Sequence, residues 1–172
     1  MVETFGELKP RLGTFIALGN HEYYGGEVKE TVDSLEKVGI PVLRDSYVKI
    51  ADSFYIVGRD DPAVSRSGKL RKDLNMVLAG VDKSLPIILL NHQPIELDAA
   101  QKEGVDLQLS GHTHRGQIFP ANLVTSRLYE KDWGYLKKDT LQLIVTSGYG
   151  TWGPALRIGN TPEIVNISIT FK

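Results

Sequence analysis

Short apolar runs, each ending at small and polar residues, set the rhythm of this chain. Thr14-Phe15-Ile16-Ala17-Leu18, Pro86-Ile87-Ile88-Leu89-Leu90, Val105 to Leu109 and Leu141-Gln142-Leu143-Ile144-Val145 have the length and make-up of strands. Pro41-Val42-Leu43, Tyr47-Val48-Lys49-Ile50 and Phe54-Tyr55-Ile56-Val57 read as shorter strands, split by turns holding Asp45-Ser46 and Asp52-Ser53. Ile164 to Ile169 reads as a last strand. Between the strands the period changes. Val28, Val32, Leu35 and Val38 lie on one helical face, closed by Gly39. Leu70, Leu74, Val77, Leu78 and Val81 form a second helical stripe. Pro94 suits the first turn of a helix running to Lys102 and ended by Gly104. Residues 5–12 read as a polar lead-in, the tail of a helix broken at Pro10, 20–26 as a loop, 116–140 as the least regular part, and 148–159 as a glycine-rich loop. Strands alternate with helices early and dominate late. The expectation is a single α/β domain over 1–172 with a mixed sheet.

Composition narrows the chemistry. Twenty basic residues face 21 acidic ones, a net charge of −1, so no basic excess points to nucleic acid. With no cysteine, thiolate metal sites and disulfides are excluded. Any metal must sit on imidazole, amide and carboxylate, a donor set that suits Mn, Fe or Zn. No apolar run approaches the roughly 20 residues of a membrane span. Met1-Val2-Glu3-Thr4-Phe5 does not read as a signal peptide. The location expected is cytoplasmic, with membrane association left open for a longer parent protein.

The four histidines share one setting. His21 follows the run 14–18, His92 follows 86–90, and His112 and His114 follow 105–109. All lie just past the C-terminal ends of predicted strands, the edge where α/β sheets bind ligands. Two imidazoles at i and i+2 on extended backbone share one side, roughly 6–7 Å apart, a spacing that lets each reach a different ion of a metal pair. Gly111 and Gly116 permit tight backbone paths around them.

Gly19-Asn20-His21-Glu22, Asn91-His92 and Gly111-His112-Thr113-His114 resemble, in order and spacing, the third, fourth and fifth motifs of the calcineurin-like metallophosphoesterase superfamily. Tyr23-Tyr24, Arg115-Gly116-Gln117 and the run Gly148 to Pro154 resemble its bacterial subgroup of predicted phosphohydrolases. The resemblance implies an α-β-β-α sandwich and hydrolysis of phosphomonoesters or phosphodiesters at a two-metal site. It implies that Asn20, His92 and His112 hold the second metal and His114 the first. It implies that His21 binds no metal, faces the substrate and stabilises or protonates the leaving oxygen.

The chain departs from that family in one respect. It contains no D-x-H and no G-D-x-x-D, the motifs that supply the first metal's other ligands and the bridging carboxylate. The expectation is therefore a domain lacking roughly its first third and carrying only the C-terminal half of the site. The alternative is a non-catalytic remnant or scaffold that binds at most one metal. An exposed sheet edge would then invite a homo-oligomer. Asp60-Asp61 is either near the metals or a solvated turn. Glu22 either orients a ligand histidine or is solvated. Arg115 and Arg157 either meet phosphate or serve structure. Tyr23 and Tyr24 either wall a pocket or pack. Trp133, Tyr135, Leu123 and Leu128 belong to a loop folded on the core, a lid or a lipid-facing surface.

Overall fold

A computed structural model describes residues 2–170. The chain divides into two compact units, Met1–His92 and Gln93–Lys172. Each is mixed α/β.

The first unit opens with helix α1, Val2–Gly6. The segment 14–18 is not a full strand. It makes one isolated parallel bridge, Ile16 to Val42, with Ile16 donating to Pro41 and accepting from Leu43. Its apolar residues still bury: Leu18 packs with Tyr23 and Val64, flanked by Val28 and Val32. The expected loop at 20–25 is instead helix α2, Asn20–Gly25. It is closed by Gly26 in left-handed backbone, φ 76°. Helix α3, Val28–Lys37, follows the sequence pattern and ends before Gly39, φ 82°.

Strands β1, Ser46–Ile50, and β2, Phe54–Gly58, form a hairpin whose turn places Ala51 and Asp52 at positive φ. A 3₁₀ helix, Pro62–Ser67, is capped by the Asp61 carboxylate, which accepts from Ala63 N–H. The stripe at 70–81 gives only the four-residue helix α4, Leu74–Val77; Leu70 lies outside it and is exposed. Strand β3, Ile87–Leu90, runs parallel to β2 with Val57 opposite Leu89. Gly58 ends β2 where a Cβ would lie 2.2 Å from Leu43 Cβ and 2.6 Å from its carbonyl oxygen, so no larger residue fits without movement.

In the second unit, helix α5 spans Leu97–Lys102, shorter than expected because Glu96 takes left-handed backbone and Pro94 stays outside it. Strand β4, Leu107–Ser110, pairs in parallel with β6, Leu141–Val145. Helix α6, Asn122–Leu128, and strand β5, Gly134–Lys138, bring order to the region that reads as irregular; β5 pairs antiparallel with β6. Residues 164–169 are not a strand. They pair with nothing as a ladder, and Ile164, Val165 and Ile169 are exposed.

Candidate functional site

In the first unit the site grows from the junction of 14–18 with α2. Gly19 is extended, φ −101°, and its N–H donates to Glu22 Oε2 at 2.8 Å. Glu22 therefore starts the helix that carries the motif, a role neither reading of it anticipates. Asn20 is buried, and its Oδ1 lies 3.0 Å from His92 Nε2. The His92 ring lies against Gly19: a Cβ there would sit 2.8 Å from its Cε1 and Nε2. Only glycine leaves room for that imidazole. His21 is exposed on the next position of α2, with the Tyr24 ring edge-on at 5.8 Å. A depression of about 300 Å³ is lined by Gly19, His21, Glu22, Thr31 and His92 among others.

Behind α2 stands a buried ionic network. Tyr23 donates to Asp60 Oδ1, and Arg44 Nε reaches the same oxygen at 2.9 Å. Burial first, then the bond to the Asp60 carboxylate, holds the Tyr23 hydroxyl far above the ordinary phenol value. The Arg44 guanidinium is in turn raised by its bond to Asp60. Asp45 accepts from Arg59 Nε at 3.0 Å and from the backbone N–H of Asp60 and Lys72. Asp60 and Asp61 are thus a buried structural pair and not a solvated turn. Tyr23 packs; Tyr24 is exposed. Neither Arg44 nor Arg71, whose NH2 donates to Asn91 Oδ1 at 2.8 Å, stands out in the sequence, because both partners are distant in the chain.

The second unit shapes His112 and His114 differently from the extended backbone expected. Both have left-handed φ, 68° and 48°, and so does Arg115, 50°. The i, i+2 spacing argument for extended chain does not apply here. A short 3₁₀ turn, His114–Gly116, follows, with Thr113 Oγ1 accepting from Arg115 N–H. Gly116 is obligatory, since a Cβ would lie 2.2 Å from Asn122 N; Gly111 has no such constraint. The His112 ring meets Tyr129 edge-on at 6.2 Å. His114 Nδ1 lies 3.4 Å from Arg157 NH2. That guanidinium also donates to the carbonyls of Ser147 and Gly148, at 2.9 and 3.0 Å, so Arg157 organises the glycine-rich loop. Buried Gln117 staples the same loop through Trp152 and Pro154. Arg115 stacks on the Trp133 ring at 3.8 Å. Trp133 in turn donates to Glu163, so this aromatic is held to the body of the unit and is no free lid.

The donor chemistry is specific. Asn20 Oδ1 and His92 Nε2 converge at 3.0 Å. Two ligands at roughly 2.1 Å from one ion and at a right angle would stand about 3 Å apart, so this pair fits adjacent metal positions. No group of three or more histidine, cysteine, aspartate or glutamate side chains that could hold an ion occurs among the described residues. Neutral imidazole and amide alone make a modest site.

A mixed α/β chain with histidines and an asparagine at such junctions agrees with the architecture of a metallophosphoesterase domain. The calcineurin-like phosphoesterase family model matches residues 2–116, and the chain belongs to that family. It is 39% identical, over its full length, to an uncharacterized metallophosphoesterase of Aquifex aeolicus, spanning 66% of that protein. It is 35% identical, over 96% of its length, to a Danio rerio protein named transmembrane protein with metallophosphoesterase domain, spanning 40% of it. An uncharacterized metallophosphoesterase of Helicobacter pylori is 34% identical over 96% of this chain and 45% of its own length. The chain thus spans two thirds or less of these relatives. No solved structure matches it significantly. Among the described residues no helix is long and apolar enough to cross a membrane.

Proposed function

We propose that this chain carries the C-terminal part of a divalent-metal phosphoesterase site that hydrolyses phosphomonoesters or phosphodiesters. Asn20, His92 and His112 bind one ion, His114 binds the other, and His21 acts on the substrate. The observation that carries this reading is the 3.0 Å approach of Asn20 Oδ1 to His92 Nε2, on a backbone that needs glycine at 19. The bound ions supply an activated water and charge neutralisation of the phosphoryl oxygens. The chain's own residues do the rest. Asn20 presents its amide oxygen from a buried position and His92 its imidazole from a half-buried one. Tyr23, Asp60 and Arg44 anchor α2, which presents both Asn20 and His21. His21, exposed and bordered by Tyr24, is free to hand a proton to the leaving oxygen, the role to which imidazole is suited near neutral pH.

A second reading is a chain that binds at most one ion and does not turn over. The absence of D-x-H and G-D-x-x-D favours it. The test is metal stoichiometry after incubation with Mn²⁺, with hydrolysis of an aryl phosphodiester followed in the same sample. Two ions per chain and turnover lost in His112→Ala support the enzyme reading; one ion or none without turnover supports the second. Self-association through an exposed sheet edge belongs to the proposal, and a monodisperse monomer by light scattering at micromolar concentration would remove it.

A further inference from the structure

The first unit holds a second and larger depression, a cleft of about 570 Å³ whose lining includes Lys29, Arg44, Arg66 and Lys69. It shares no lining residue with the depression at His21 and His92. Four cations meet one carboxylate, Asp33, on a chain whose net charge is −1. A cleft lined mainly by one sign of charge focuses potential and gathers counter-ions. Two of the cations are already matched: Lys29 pairs with Asp33 at 2.5 Å, and Arg44 with Asp60 at 2.9 Å. Arg66 and Lys69 have no carboxylate partner among the described residues. Arg66 is held over the Tyr24 ring at 4.5 Å, which fixes the guanidinium before any ligand arrives. Gly68, φ 74°, turns the backbone between them. Val28, Val32 and Tyr23 add apolar surface to the lining. The volume falls within the roughly 300–1,000 Å³ of small-molecule sites and is far more than an inorganic anion fills.

We propose that this cleft binds a soluble phosphorylated organic molecule, its phosphate on Arg66 and Lys69 and its carbon skeleton on Val28 and Val32. The guanidinium gives paired hydrogen bonds to phosphate oxygens and the ammonium a point charge. The cleft shares no lining residue with the depression at His21 and His92, and its link to that depression is Tyr24, which carries Arg66 and meets His21.

The test uses the whole chain in EDTA at low salt, with inorganic phosphate and the non-hydrolysable benzylphosphonate titrated calorimetrically. Benzylphosphonate binds more tightly than phosphate. Arg66→Ala and Lys69→Ala each weaken it about tenfold, the worth of one charge-assisted hydrogen bond. Both side chains are exposed, so these variants fold. His92→Ala leaves binding unchanged, which separates this site from the depression at His21 and His92. No binding by the parent chain, binding indifferent to Arg66→Ala and Lys69→Ala, or binding lost in His92→Ala would overturn the proposal. So would Arg66-dependent sedimentation with phosphatidic acid vesicles in the absence of benzylphosphonate binding, which would assign the phosphate to a lipid headgroup.

Discussion

His92 Nε2 lies 3.0 Å from Asn20 Oδ1, although 72 positions separate the two residues in sequence. Gly19 makes that approach possible. An added methyl would meet the His92 ring at 2.8 Å, and a ring can swing aside where backbone cannot. Gly19→Ala should therefore displace His92 at a cost in stability of only about 1 kcal/mol. Its Mn²⁺ affinity should fall as far as in His92→Ala. Calorimetric metal titration beside a urea melt checks both; a stability loss without an affinity loss would mean that His92 holds no metal.

Gly58 gives the opposite case. Its neighbour is the backbone of Leu43, 2.6 Å from the position of an added Cβ, and backbone cannot rotate away. Gly58→Ala should cost about 3 kcal/mol or more, at the upper end of overpacking effects. Comparing its urea midpoint with that of Gly19→Ala tests the contrast directly.

The Tyr23–Asp60–Arg44 network should respond in order. Tyr23→Phe removes two hydrogen bonds, the one donated to Asp60 and the one accepted from Arg44, and should cost about 1–2 kcal/mol. Asp60→Ala strands Arg44, whose side chain is 27% exposed and so partly relieved by water. The expected loss is about 2–3 kcal/mol, below that of a fully buried broken pair. Because α2 carries His21, both changes should also lower any turnover that His21 supports. Thermal melts of the two variants decide the order, and equal losses would contradict it.

Glu163 ties acid stability to the second unit. Burial pushes its pKa up, but the Ser147 amide, the Trp133 indole and the Thr146 and Ser147 hydroxyls outweigh burial and hold it below the ordinary carboxylate value. A depressed folded pKa contributes stability above the unfolded value, near 4.3, and that contribution disappears as pH falls through the folded value. Stability should therefore drop on acidification below about pH 4.5, and Glu163→Gln should flatten the slope there. Urea midpoints along an acid series measure it; parallel curves for the two proteins would exclude Glu163 as the cause.

The sequence was most readable where burial dictates residue type. The runs at 54–57, 86–90, 105–109 and 141–145 became strands because neighbours cover them. The run at 164–169 has the same composition but no pairing strand, and composition alone does not reveal a missing neighbour. Helix α2 is hidden because it is short and polar; its one local sign is Glu22, three residues after Gly19. The order of the histidine motifs was legible, since it lies in the sequence itself. The left-handed backbone at His112 and His114 was not, because histidine tolerates it without announcing it. Long-range partners such as Asp60 for Tyr23 or Arg157 for His114 leave no local trace at all.

That run of left-handed residues bears on how the loop should be probed. At His112, His114 and Arg115 the backbone itself discriminates among side chains, disfavouring those with a branched or even a plain Cβ and tolerating asparagine. Replacement of either histidine by alanine or valine removes an imidazole and also shifts the conformational preference of its peptide. Part of any lost activity would then belong to geometry. Asparagine at 112 or 114 keeps the turn while deleting the ring, and the difference between the two replacements divides the loop's contribution into chemistry and shape.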